Sequence, residues 1–132
     1  MTQPKTPKTK PAKVPPIPPM KESMLVNLIL RDLLSRYKGV LRLWRNNSGA
    51  FKTEGGNFIR YGALGSPDIL GILKPGKIVC IEAKSSRGKL SEHQERWLQE
   101  ARDLGALVGV VRSVDEAIAL IESGLNSGEV TK

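Results

Sequence analysis

The chain has 132 residues, enough for one domain with a single core and too few for two ordinary ones. Lys and Arg outnumber Asp and Glu by 21 to 13, and the formal charge of +8 favours a polyanionic partner such as nucleic acid or an anionic membrane surface. Cys80 is the only cysteine and His93 the only histidine, which excludes an internal disulfide and a zinc site built from several such ligands, so a metal here needs oxygen donors.

The start MTQPKTPKTK lacks the apolar segment of a secretory signal, and no apolar run approaches the roughly 20 residues that span a bilayer. These features point to a cytoplasmic protein with no membrane partner. Residues 1–20 hold seven of the nine prolines and four lysines, with no acid, and are expected to form a disordered, extended basic arm. By composition, a solubilising leader and a DNA-gripping arm fit it equally. Without the arm's four charges the remaining 112 residues carry +4. A single domain is expected over 21–124, with a flexible tail over 125–132.

Over 21–37, Leu25, Leu28, Ile29 and Leu33 follow helical spacing, with Val26, Leu30 and Leu34 widening the stripe, and Gly39 ends the helix. A short strand over 40–45 leads to the polar turn Asn46-Asn47-Ser48-Gly49, and a further extended piece is expected over 57–61. The β-rich runs 69–73 and 77–83 flank Lys74-Pro75-Gly76, where Pro then Gly suits a type II turn, giving an antiparallel hairpin. Ser91-Glu92-His93-Gln94 is a capping box that opens a helix with Trp97, Leu98, Ala101 and Leu104 as its apolar stripe and Gly105 as its stop. A buried strand is expected over 106–111, and Ser113-Val114-Asp115-Glu116 starts a last helix that runs through Ile121 to about Gly124. Strand, helix and strand from 78 to 111 make a βαβ unit within an α/β fold.

Gly65-Ser66-Pro67-Asp68, Glu82-Ala83-Lys84 and Gln94 are the residues that suggest chemistry. Side chains alternate along a strand, so Ile78, Cys80, Glu82 and Lys84 share one face. A carboxylate and an ammonium at the end of a buried strand are costly unless they are paired or hold a metal. Asp68 begins the partner strand, and a divalent cation between it and Glu82 removes their mutual repulsion; Mg²⁺ or Mn²⁺ suits such hard donors. A two-residue turn at Pro75-Gly76 places Asp68 opposite Ala83, on the wrong face. The site therefore requires a three-residue loop, a bulge, or an Asp68 that precedes the regular pleat.

These residues resemble the PD-(D/E)XK nuclease superfamily, and within it the virus-type replication-repair nuclease (VRR-NUC) domain. The resemblance covers 22–111: an acid on the first helix, Trp44-Arg45-Asn46, Gly-Ser-Pro-Asp, and Glu-Ala-Lys followed by Gln94. It implies a restriction-endonuclease-like core, a mixed central sheet flanked by helices. It also implies that Asp68, Glu82 and the backbone carbonyl of Ala83 bind Mg²⁺ or Mn²⁺. Lys84 then acts at the attacking water or scissile phosphate, Gln94 supports the site, and Glu22 contacts the metal directly or through water. The implied activity is metal-dependent hydrolysis of DNA by a homodimer that cuts branched substrates such as four-way (Holliday) junctions, in a phage or bacterial context. The proline-rich arm departs from the family pattern.

Arg42, Arg45, Lys52, Arg60, Arg87 and Lys89 are candidates for a phosphate-binding face, with Arg45, Arg87 and Lys89 nearest the motifs. Bland roles compete with the sharp ones. Gln94 suits a helix cap, Glu22 suits a helix N-terminus, Cys80 and Trp97 suit the core, and His93 suits an exposed first turn. The competing functions are a non-catalytic DNA-binding module that keeps the fold, and an adaptor whose proline-rich arm recruits a protein.

Overall fold

A computed structural model describes Gln3 and residues 20–127. The expected arm lies outside the described residues apart from Gln3 and Met20, as do residues 128–132 of the expected tail.

Three helices and six strands follow in the order α1 (Glu22–Arg36), β1 (Leu41–Arg45), β2 (Gly49–Lys52), β3 (Phe58–Tyr61), β4 (Ile69–Leu73), β5 (Lys77–Ala83), α2 (Glu92–Asp103), β6 (Leu107–Val111) and α3 (Val114–Ser127). The main sheet has the order β1-β4-β5-β6, antiparallel except for the parallel β5–β6 pair that α2 connects. One face carries Leu41, Leu43, Ile69, Leu73, Val79 and Ile81, against which α1 packs Leu25, Ile29 and Leu33 and α3 packs Ala117 and Ile121. Each fully buried Ile or Leu of this layer contributes about 1.5–3 kcal/mol. On the other face, Trp97 and Ala101 of α2 border an apolar groove with Ile78 and Cys80. The fold is thus the expected α/β one, a mixed central sheet flanked by helices.

The 73–76 turn is closed by Gly76 N–H donating to the Leu73 carbonyl, and Leu73 is paired with Lys77. The expected type II turn centred on Pro75 and Gly76 is therefore replaced by a three-residue connection, Lys74 to Gly76. That register sets Ile69 against Ile81, so Asp68 precedes the pleat on the same side as Glu82.

Four further expectations are corrected. Gly49 does not close a turn; it opens β2, which pairs with β3 as a separate two-stranded ribbon with every residue exposed. The strand over 106–111 is an edge strand, buried at Val111 and half-buried elsewhere. The α2 stripe is buried only at Leu98; Trp97 and Ala101 are half-buried and Leu104, at the C-cap, is 89% exposed. Helix α3 continues past Gly124 to Ser127.

Candidate active site

β5 delivers Glu82 and Lys84 to the carboxyl end of the parallel pair, the usual place for a ligand in α/β sheets. Glu82 is 2% exposed and Lys84 8% exposed, both far below the norm for these residue types. Lys84 Nζ stands 3.8 Å from Glu82 Oε1. The side-chain amide of Gln94 donates to the same oxygen at 3.1 Å. Glu82 Oε2 is buried and has no hydrogen-bond partner.

Asp68 comes to this point from the segment before β4. Its Oδ2 accepts from Ala83 N–H at 2.9 Å, and its carbonyl accepts from Asn46 N–H at 2.8 Å. The Glu82 carboxyl is pushed up to about 8, first by burial and then by the adjacent Asp68; Glu22 adds to the rise and Lys84 opposes it. Glu22, in the first turn of α1, accepts from Ser85 N–H through Oε1 at 3.3 Å. The fold thus gathers Asp68, Glu82, Lys84 and Gln94 directly, with Glu22 at the rim.

An orphaned carboxylate oxygen beside a second carboxylate suits a hard divalent cation, which removes the repulsion that drives Glu82 toward its neutral form. Among the described residues no three His, Cys, Asp or Glu side chains are close enough to hold an ion alone. Two carboxylates with a backbone carbonyl and waters are nevertheless an ordinary donor set for Mg²⁺.

Three residues to which the sequence assigns no role of their own hold this arrangement. Asn46 Nδ2 donates to Ser66 Oγ and to the Pro67 carbonyl, both at 2.9 Å, and so clasps the Gly-Ser-Pro-Asp loop. Arg112 Nη1 donates to the carbonyls of Ser85 and Gly88, pinning the loop after Lys84. Gly65 has φ +80°, and a Cβ there lies 2.4 Å from the His93 carbonyl oxygen, so only glycine lets the motif loop rest on the start of α2. His93 itself is exposed and Cys80 is fully buried.

The candidate phosphate-binding cations are dispersed. Arg45 turns to α1, donating to Asn27 Oδ1 at 2.5 Å and to the Ser23 carbonyl at 3.5 Å. Arg87 and Lys89 are exposed on the loop that Arg112 pins. Lys52 and Arg60 lie on the ribbon, and Arg42 is paired with Ile72, farther along the sheet from Asp68.

The model of the VRR-NUC domain family matches residues 26–115, a span that includes every site residue named above except Glu22. A solved structure described as a VRR_NUC domain is 28% identical, with a TM-score of 0.50, and the match covers 73% of this chain and 92% of that one. No curated protein matches the sequence.

Proposed function

This chain belongs to the VRR-NUC domain family, a nuclease-type, DNA-processing family, and from that premise we propose that it is a metal-dependent, structure-specific DNA endonuclease. One observation carries the reading: the buried Glu82 carboxylate, with Oε2 unpartnered and Asp68 beside it, lies next to Lys84 at a strand end. Asp68, Glu82 and the Ala83 carbonyl would hold Mg²⁺ or Mn²⁺, with Glu22 reaching it directly or through water. Such an ion supplies Lewis acidity, lowering the pKa of water and stabilising charge on the phosphate. Lys84, pinned close to Glu82, adds fixed positive charge where the phosphate becomes more negative and orients the attacking water. Gln94 keeps the Glu82 carboxylate in one rotamer. Exposed Arg87 and Lys89 with Arg45 at the α1 edge grip flanking phosphates.

The substrate is branched DNA such as a four-way junction, met in the cytoplasm by a homodimer whose two sites make paired nicks. No described helix is long and apolar enough to cross a membrane. The test is cleavage of a labelled four-way junction beside matched linear duplex, with Mg²⁺, Mn²⁺ or chelator. Metal-dependent cutting of the junction that Asp68→Asn loses is the expected result. Binding without cutting under every metal condition overturns the reading in favour of a DNA-binding module, and equal cutting by Asp68→Asn overturns the metal site.

A further inference from the structure

The β2–β3 ribbon has no part in the chemistry above, yet it is anchored at the site. The chain leaves the main sheet at Arg45 and returns at Asp68, and Asn46 N–H bonding to the Asp68 carbonyl joins the two ends of the excursion. Isolated two-stranded ribbons are marginal in water unless something packs on them. Here Phe51, Phe58 and Tyr61 remain 51%, 75% and 48% exposed.

The register places Phe51 opposite Ile59 and Tyr61 opposite Gly49 on one side, with Lys52, Phe58 and Arg60 on the other. Neither strand contains an acid. Phe51 and Tyr61 form a tilted pair, their centroids 6.2 Å apart and their planes at 42°. At the ribbon's base a hollow of about 330 Å³ is bordered by Arg60, Tyr61, Leu64 and Gly65, three residues short of Asp68 in the chain. Exposed rings on one side of a narrow ribbon and long cationic side chains on the other suit single-stranded nucleic acid that passes round its edge: bases stack on the rings and the cations meet the phosphates.

We propose that the ribbon takes unpaired bases of the DNA substrate beside the cleavage site, stacking them on Phe51 and Tyr61 and holding their phosphates with Lys52 and Arg60. The proposal rests on the nuclease reading for its substrate class and narrows it. DNA with unpaired or splayed bases at the branch is preferred to perfectly paired duplex. A second copy seated on the Phe51 side is the competing occupant. The hollow beside Arg60 and the absence of acids from the two strands, the connection between them carrying only Glu54, favour DNA, because an apposed copy gains nothing from either feature.

The test measures binding in chelator, so it stands apart from cleavage. Full-length protein is titrated against a duplex with a three-nucleotide gap that carries 2-aminopurine, and against the same duplex fully paired. Wild type is expected to bind the gapped probe about tenfold more tightly and to change its fluorescence by stacking. Phe51→Ala with Tyr61→Ala should remove both effects with the circular dichroism spectrum retained, and Phe51→Tyr should keep them. Lys52→Ala with Arg60→Ala should weaken both probes and lower the salt slope by about two. Equal wild-type affinity for the two probes overturns the proposal. So does an unchanged preference in the aromatic variants, and if those variants also turn a dimer into a monomer by light scattering, the ribbon is a contact between copies. Failure of the nuclease reading shows separately, as an absence of metal-dependent cutting with the base preference intact.

Discussion

Gln94 donates through Nε2 to Glu82 Oε1 at 3.1 Å while its own Oε1 accepts from Ser91 N–H at 3.0 Å. One side chain therefore closes the α2 capping box and holds the buried carboxylate, and the two roles open to it in the sequence are not alternatives. They separate by substitution. Gln94→Glu keeps the box, since Glu serves at this position as Gln does, but it faces Glu82 with a second acid. Thermal stability in Mn²⁺-free buffer should fall because of that repulsion, and cleavage should fall about tenfold or more. Gln94→Ala should cost about 1 kcal/mol of cap as well. Melting curves and single-turnover cleavage, run on both variants, check this; full cleavage by Gln94→Glu restores the cap-only role.

Asp68→Asn retains an oxygen that accepts from Ala83 N–H and removes the charge that crowds Glu82. The metal-free variant should be as stable as wild type or more so, while the heat of Mn²⁺ binding disappears and cleavage drops about a hundredfold or more. Calorimetry with Mn²⁺ and a melt in chelator read the two effects independently. Loss of stability together with activity would instead make Asp68 a structural clasp for the β5 end.

The regular segments were legible from sequence because their burial follows simple patterns: Leu25, Ile29 and Leu33 face the core as spaced, β4 alternates, and β5, covered on both faces, is a continuous buried run from Val79 to Ala83. What escaped was set by tertiary context. Gly49-Ala50-Phe51-Lys52 carries no alternation and becomes a strand only by pairing with β3. Gly124 reads as a helix stop, but a Cβ there falls 2.5 Å from Leu107 Cδ2 and 2.9 Å from Leu73 Cδ2, so it serves close packing of a helix that continues. Leu104 keeps the α2 spacing, yet it lies at the helix end, where nothing covers it. The residues of the site were legible by type and order. Their assembly on one side depended on the length of the connection between Leu73 and Lys77, which Pro75-Gly76 leaves ambiguous.

Glu82 also predicts a pH dependence. Its folded pKa of about 8 lies above its ordinary 4.5, so between these values the folded chain holds a proton that the unfolded chain has released. Stability of the metal-free protein should fall as pH rises from 4.5 to 8, by at most about 1.4 kcal/mol per pH unit from this group, and level off above that. Glu82→Gln should lose this dependence and be the more stable protein at pH 8. Mn²⁺ competes with the same proton, so the rise in melting temperature it gives wild type should be larger at pH 8 than at pH 5. Denaturant titrations at four pH values with chelator, repeated with Mn²⁺, test the sign; parallel wild-type and Glu82→Gln curves would remove Glu82 as the source.

Two glycines near the site should respond in opposite ways. A Cβ on Gly65 meets the backbone of His93 at 2.4 Å, in a conformation with φ +80°, so neither partner has room to yield. Gly65→Ala should cost at least about 2 kcal/mol, roughly 10 °C in Tm for a domain of this size. A Cβ on Gly88 meets Glu22 Oε1 at 2.9 Å, Ser85 Oγ at 3.2 Å and Lys84 Cδ at 3.3 Å, all on side chains able to move. Gly88→Ala should leave Tm within about 2 °C of wild type, because the helices and the core are untouched. The displaced groups are the ammonium-bearing Lys84 and the first-helix acid, so cleavage should fall about tenfold with the fold intact. A Gly88→Ala protein that melts and cuts like wild type would mean that the positions of Glu22 and Lys84 tolerate shifts of several tenths of an ångström, and that the loop pinned by Arg112 does not set the geometry of the site.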